Sequence, residues 1–265
     1  MRLKNLIYYS LALLFIGGNF SCDQEELPDP TEPTICPNPV YYPENAKLLR
    51  TYYGAGDENG NTLLEEYEYG ENGKISKVTT PYYENGMQKG TWQYEVYTYG
   101  SDDRLAEVAT YSRTQNGEFQ KRSLLRYTYT PEGLKEKEIL ESLPDGPSTM
   151  KRFYYKEGKT ERCELYAEGQ LVNIILYEYD EGGRLSKETT YYEGKPISYI
   201  LYSYEKREEG IEKMVEYNVG EIDVPQREME KFYDLNNNLI YFSSRELRWE
   251  SSRSSYRIHY QYESE

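Results

Sequence analysis

Apolar and polar residues alternate with a period of two along most of this chain. In ILYEY, residues 175–179, one face carries Ile175, Tyr177 and Tyr179, and the other carries Leu176 and Glu178. Such alternation predicts a β-strand, because successive side chains point to opposite faces. The aromatic pair recurs. It stands at Tyr67-Glu-Tyr69, Tyr97-Thr-Tyr99, Tyr127-Thr-Tyr129, Phe153-Tyr-Tyr155, Tyr177-Glu-Tyr179, Tyr202-Ser-Tyr204, Lys231-Phe-Tyr233 and Tyr260-Gln-Tyr262, at intervals of 24 to 30 residues. A period of this size marks a chain built from one supersecondary unit.

Each pair but the last runs into a short polar segment, among them GENGKI, GSDDRL, TPEGL, DEGGRL and DLNNNL. These predict tight turns, which need a residue at positive φ. Gly73, Gly133 and Gly183 supply it, and Asn236, Asn237, Asp102 and Asp103 stand in where glycine is missing. The tails match too: KISKVTTPYYENG (74–86) parallels RLSKETTYYEG (184–194). A second arm, GTWQYEVYTY (90–99) or PISYILYSY (196–204), then leads into the next pair. Each unit thus holds two strands and two turns. In YEYDEGGRL, Asp180, Gly182 and Gly183 are read as turn residues, and Arg184 as a solvated charge starting the returning strand.

The fold class that follows is all-β: an antiparallel up-and-down meander of about 16 strands, built from β-hairpin repeats. An open sheet of that size leaves reactive edges, so it is expected to close or curl into a wide barrel-like sheet. The barrel is expected to be water-soluble. A lipid-facing barrel needs an apolar outer band, and strands such as RLSKETT carry charge on both faces.

Composition fits strands with half-wet surfaces. The chain has 32 tyrosines and only 37% hydrophobic residues, with a mean hydropathy of −0.90. Tyrosine offers a large apolar face with a polar tip. The net charge is −15 over 265 residues. That argues against nucleic acid as a partner, since phosphate binding needs clustered Lys and Arg.

The N-terminus is a separate unit. Residues 1–22, MRLKNLIYYSLALLFIGGNFSC, carry Arg2 and Lys4, then the apolar run Leu6–Ile16, then small residues before Cys22. A basic segment followed by a short apolar one is a secretory signal, too short to span a bilayer. The cysteine behind it resembles a bacterial lipoprotein signal, which implies cleavage before Cys22 and its acylation. Asn19 and Phe20 depart from the strict lipobox, and looser boxes are common among Bacteroidetes lipoproteins. The acidic run DQEE (23–26) resembles the signal that sends such lipoproteins to the cell surface. Residues 22–43 are rich in proline and read as an extended spacer. The expected organisation is a signal peptide over 1–21, the acylated cysteine and spacer over 22–43, and one hairpin-repeat domain over 44–265.

The YxYDxxGRL pattern resembles the YD repeats of Rhs-type proteins, which form β-hairpin shells. Signal, spacer and degenerate hairpins together resemble Bacteroidetes surface lipoproteins of unknown function assigned a porin-like fold. Neither resemblance implies catalytic residues. It implies an outer membrane lipid-anchored protein facing the cell exterior, held in the membrane by Cys22.

Motifs for chemistry are sparse. His259, the one histidine, has no cluster around it in sequence and reads as a strand residue. DLNNN (234–238) begins like a calcium loop but lacks its later glycine and glutamate, so it reads as a turn. Cys36 and Cys163 form an even pair that could bridge in an oxidising compartment. Trp92, Trp249 and the tyrosine rows could stack on sugar rings, but their regular placement reads first as the core of an aliphatic-poor sheet. No cofactor and no metal is expected. Three functions stay open: a non-enzymatic binding or scaffold lipoprotein for glycans or for envelope or host proteins, a polysaccharide-acting hydrolase using a carboxylate pair, and a periplasm-facing lipoprotein of envelope assembly.

Overall fold

A computed structural model describes residues 46–53, 62–84, 86–206, 212–219, 225–234, 236–246 and 255–263. The expectations for residues 1–43, for Cys22, Cys36 and the spacer, and for Trp249 fall outside them. Sixteen strands follow one another: β1 (Leu48–Tyr53), β2 (Thr62–Tyr69), β3 (Ile75–Glu84), β4 (Met87–Tyr99), β5 (Leu105–Arg113), β6 (Phe119–Tyr129), β7 (Lys135–Ser142) and β8 (Ser148–Lys156). The second half continues with β9 (Lys159–Ala167), β10 (Gln170–Tyr179), β11 (Leu185–Tyr192), β12 (Lys195–Lys206), β13 (Glu212–Val219), β14 (Pro225–Tyr233), β15 (Leu239–Glu246) and β16 (Ser255–Tyr262). Every strand pairs antiparallel with its sequence neighbours, and β1 pairs with β16, with Thr51 opposite Tyr260. The sheet is a closed barrel, which removes the edges that an open meander would expose.

The predicted turns form, and their chemistry is visible. At Gly70–Lys74, Gly100–Arg104, Thr130–Leu134, Asp180–Arg184 and Asp234–Asn238 the first residue's N–H donates to the carbonyl of the fifth, at 2.8–2.9 Å. Within each loop the fourth residue's N–H donates back to the first residue's carbonyl. That fourth residue is Gly73, Asp103, Gly133, Gly183 or Asn237, all at φ between 63° and 91°. This is a turn closed by one left-handed residue, which adds a bulge to the hairpin. The bulge falls at the same place each time: register shifts at Tyr69, Tyr99, Tyr129, Tyr179 and Tyr233. Asp and Asn at two of these positions use their tolerance of the left-handed region.

The alternation of Tyr-x-Tyr sorts the two faces. The middle residues Glu68, Thr98, Thr128, Glu178 and Ser203 are exposed, while the tyrosines beside them are half-buried. Tyrosines two strands apart also lie close enough to oppose each other's ionisation, Tyr67 with Tyr97 and Tyr97 with Tyr127. Rows so far apart converge only on the concave side, so the paired aromatics line the inner wall. The outer wall carries cross-strand ion pairs: Arg50–Glu66 at 2.8 Å, Lys77–Glu68 at 2.8 Å, Arg126–Glu107 at 3.4 Å and Lys187–Glu178 at 3.5 Å.

Candidate functional site: the inner wall

The second tyrosine is a structural fastener in seven of the eight pairs. Its hydroxyl donates across to a backbone carbonyl at the start of the preceding strand. Tyr69 donates to Leu48, Tyr99 to Ile75, Tyr129 to Leu105, Tyr155 to Lys135, Tyr179 to Thr160, Tyr204 to Leu185 and Tyr262 to Leu239, at 2.7–3.0 Å. A cation from the adjoining segment lies over several of these rings: Lys47 over Tyr69, Lys74 over Tyr99, Arg104 over Tyr129, Lys159 over Tyr179 and Arg184 over Tyr204. Arg184 therefore does more than meet water. Its guanidinium stands 4.6 Å from the Tyr204 ring and 3.0 Å from Asp180. The tyrosine rows are thus a belt of hydrogen bonds and cation–π contacts at one rim.

The chemistry that distinguishes one repeat from another sits two residues before each pair, also on the inner wall. Most repeats place an apolar residue there: Leu125, Ile175, Ile200, Met229 and Ile258. The first two place Glu65 and Glu95, and the fourth places Lys151. Tyr67 donates its hydroxyl to Glu65, and Tyr97 donates to Glu95 at 2.8 Å. Burial, reinforced by the charge of Glu65, raises the Glu95 carboxyl above its usual range against the pull of the Tyr97 hydrogen bond. Burial first, then the adjacent carboxylates, pushes the Tyr67 and Tyr97 hydroxyls well above the usual tyrosine value.

Lys151 makes a different arrangement. Its ammonium donates to Glu138 at 3.1 Å, and Lys135 donates to the same carboxylate at 3.2 Å. Burial alone would push Glu138 up, but the two lysines outweigh it and hold the carboxyl below its usual range. Lys135 also lies 4.9 Å from the Tyr127 ring centre. Burial, then Glu138, pushes the Tyr127 hydroxyl up to about 12. Further round, Tyr202 donates to Glu188 at 2.8 Å.

Cys163 lies on this wall, 1% exposed, opposite Phe153 and Ile175 in register, and has no disulfide partner among the described residues. Burial pushes the thiol up to about 11, so it stays protonated at neutral pH. His259 lies on the outer face and packs against Tyr241 at 5.0 Å between ring centres. Asp234 holds its own loop by accepting from the N–H groups of Asn236 and Asn238, and that loop is a turn. Among the described residues, no group of three or more His, Cys, Asp or Glu could hold a metal ion. Glu65, Glu95, Glu138 and Lys151 were not singled out by sequence motifs. Their signal is subtler: a charge at a repeat position that is apolar elsewhere.

Fold and wall together define a β-hairpin-repeat barrel with a tyrosine-fastened rim. No family model matches the chain, and no curated protein sequence matches it. Among solved structures it is similar to a porin-like protein from Bacteroides uniformis, at 10% identity and a TM-score of 0.39, covering 85% of this chain and all of that one. A porin-like protein from Bacteroides vulgatus matches at 13% identity and TM-score 0.30, covering 83% and 99%. A DUF3836 family protein from the same species matches at 14% identity and TM-score 0.25, covering 41% and 89%. Likenesses this distant carry no functional argument.

Proposed function

We propose that the chain is an outer-membrane lipoprotein, anchored through acylated Cys22 and facing the cell exterior. Its barrel is a non-enzymatic binding or scaffold module for glycans or for envelope or host proteins. The observation that carries this reading is the placement of charge. Exposed ion pairs ring the outer wall, and Glu65, Glu95, Glu138 and Lys151 sit on the inner one. A charge facing lipid at mid-bilayer costs about 2–4 kcal/mol, so such a body belongs in water and takes its membrane affinity from acyl chains. Each of these inner-wall charges is also bonded to a neighbour on that wall, Glu65 to Tyr67, Glu95 to Tyr97 and Glu138 to Lys151, which suits a rigid scaffold.

Protease treatment of intact cells, with a periplasmic control protein, tests the orientation. Digestion of residues 44–265 while the control survives is the expected result. Protection would favour the periplasm-facing assembly role instead.

One observation favours a second reading. Glu65 and Glu95 are neighbouring inner-wall carboxylates, and the raised Glu95 suits a general acid. A hydrolase would lose its activity on polysaccharide in Glu95→Gln. The non-enzymatic reading predicts no turnover by the wild-type protein to begin with.

A further inference from the structure

The outer wall changes character over β14–β16. In four other hairpins the outward cross-strand pair within the Tyr-x-Tyr segment is polar: Glu68 opposite Lys77, Thr98 opposite Glu107, Thr128 opposite Lys137 and Glu178 opposite Lys187. At the same place the β14–β15 hairpin sets Phe232 opposite Tyr241. Tyr241 stands opposite His259, and His259 opposite Tyr52 of β1. Four rings thus cross the outer wall in one row. Phe232 meets Tyr241 edge-on at 5.4 Å between centres, and Tyr241 leans on His259 at 5.0 Å. The row is also shielded from water. Phe232 is 0% exposed and Tyr241 2%, and Glu230, two residues along the same wall, is 7%. Strand neighbours flank an outward side chain but leave its top open, as at exposed Glu68 and Glu178. Elsewhere rings shade a carboxylate, as Tyr154 and Tyr166 do for Glu164. Phe232 and Tyr241 are themselves the rings, so a layer must lie over them.

The chain itself supplies a fitting cover. Glu263 donates to the Lys47 carbonyl at 2.8 Å, and Tyr262 to the Leu239 carbonyl at 3.0 Å, so the chain ahead of β1 arrives at the rim that holds the β14–β15 turn. Just before it stand residues 36–45, CPNPVYYPEN, with Val40, Tyr41 and Tyr42 between prolines. Ten extended residues reach about 33 Å. From β1 to β14 is three strand spacings, about 14 Å. Pro37, Pro39 and Pro43 have no N–H to give a ladder, which suits a segment crossing strands rather than pairing with one. The neighbouring connections fit less well. Residues 247–254 join β15 to β16 at the far rim, where Glu246 is five residues, about 17 Å, from Tyr241. A loop of eight residues folds back only about 14 Å. Residues 207–211, Arg-Glu-Glu-Gly-Ile, and 220–224, Gly-Glu-Ile-Asp-Val, are shorter and charged. We infer that residues 36–45 lie across the outer wall of β14–β16 as a strap, with Tyr41 and Tyr42 packed on Phe232, Tyr241 and His259. The strap does not depend on acylation of Cys22. Joined to the anchoring proposed above, it sets which side of the barrel the tether leaves, and so which side turns to the membrane.

The test uses the full chain purified in detergent. Photo-reactive benzoylphenylalanine replaces Tyr41, and mass spectrometry locates the cross-links. They should fall within one molecule, on residues 228–262. Chymotrypsin gives a second readout: the Tyr41–Tyr42 bond should be cut at least tenfold more slowly in the wild-type protein than in Phe232→Ser/Tyr241→Ser. Because that variant removes buried rings, Val40→Ser/Tyr41→Ser supplies a check that alters no strand. The ring signals of His259, the one histidine, should shift in its proton NMR spectrum. Cross-links from position 41 to other strands or to a second molecule, equal cleavage of the two proteins, or unmoved His259 signals would each overturn the inference. So would cross-linking of Phe232 or Tyr241 by the same probe placed at Trp249, which would give the cover to residues 247–254. Protease treatment of intact cells reads orientation alone, so loss of the surface assignment is distinguishable from loss of the strap.

Discussion

Single residues set the turns of this barrel, and their cost is readable at each one. Three two-residue turns place both central residues at positive φ: Glu157-Gly158, Glu168-Gly169 and Glu193-Gly194, with φ of 48–52° at the glutamates and 76–77° at the glycines. The glycines suit that geometry, while a glutamate there is strained and asparagine is preferred. Glu193→Asn should therefore stabilise the protein by about 0.5 kcal/mol, seen as a higher midpoint in urea. Gly194→Ala should destabilise by roughly 1 kcal/mol from backbone strain, because a Cβ there meets nothing within 4 Å. Cys163 gives a third outcome. Its thiol, buried and pushed up to about 11, should resist iodoacetamide at neutral pH until the protein is unfolded. Rapid alkylation in the folded state would refute the burial.

At the scale of strands and hairpins, the tyrosine belt is the unit of stability. Each fastening hydroxyl contributes one hydrogen bond, so Tyr129→Phe and Tyr179→Phe should each cost about 1 kcal/mol. They stand four strands apart, in β6 and β10, so the double variant should equal the two costs added within about 0.5 kcal/mol. Chemical denaturation of the three variants checks this. Much of this level was legible in the chain. Gly73, Gly133 and Gly183, with Asp103 and Asn237 as stand-ins, announced the turns because positive φ restricts residue choice so strongly. The Tyr-x-Tyr period announced the in–out–in pattern. The tyrosines' partners were not legible, since a hydroxyl bonded to the Leu105 or Thr160 carbonyl depends on register between strands. Nor was the ring contact of Tyr94 with Tyr111 and Phe119, because these residues meet only when β4, β5 and β6 are aligned.

Among the described residues the molecule is a closed ring of sixteen antiparallel strands with charge on both walls, and two carboxyls of its inner wall are shifted in opposite directions. Glu138 is held low by Lys151 and Lys135. Its stabilising effect is present above the usual carboxylate range and is lost as pH falls through its depressed value. Glu95 is held high by burial. Its contribution is full below the usual carboxylate range and is lost as pH rises through the raised value. Glu95→Gln should therefore melt higher than wild type at neutral pH and lose that advantage in acid, in a thermal scan across pH. The central claim is that the barrel is a water-borne body that owes its membrane attachment to the lipid on Cys22. Expressing residues 44–265 alone, without detergent, tests it most directly. The account predicts a soluble, all-β protein with one cooperative thermal transition. A product that partitions into membranes, or stays in solution only with detergent, would contradict it.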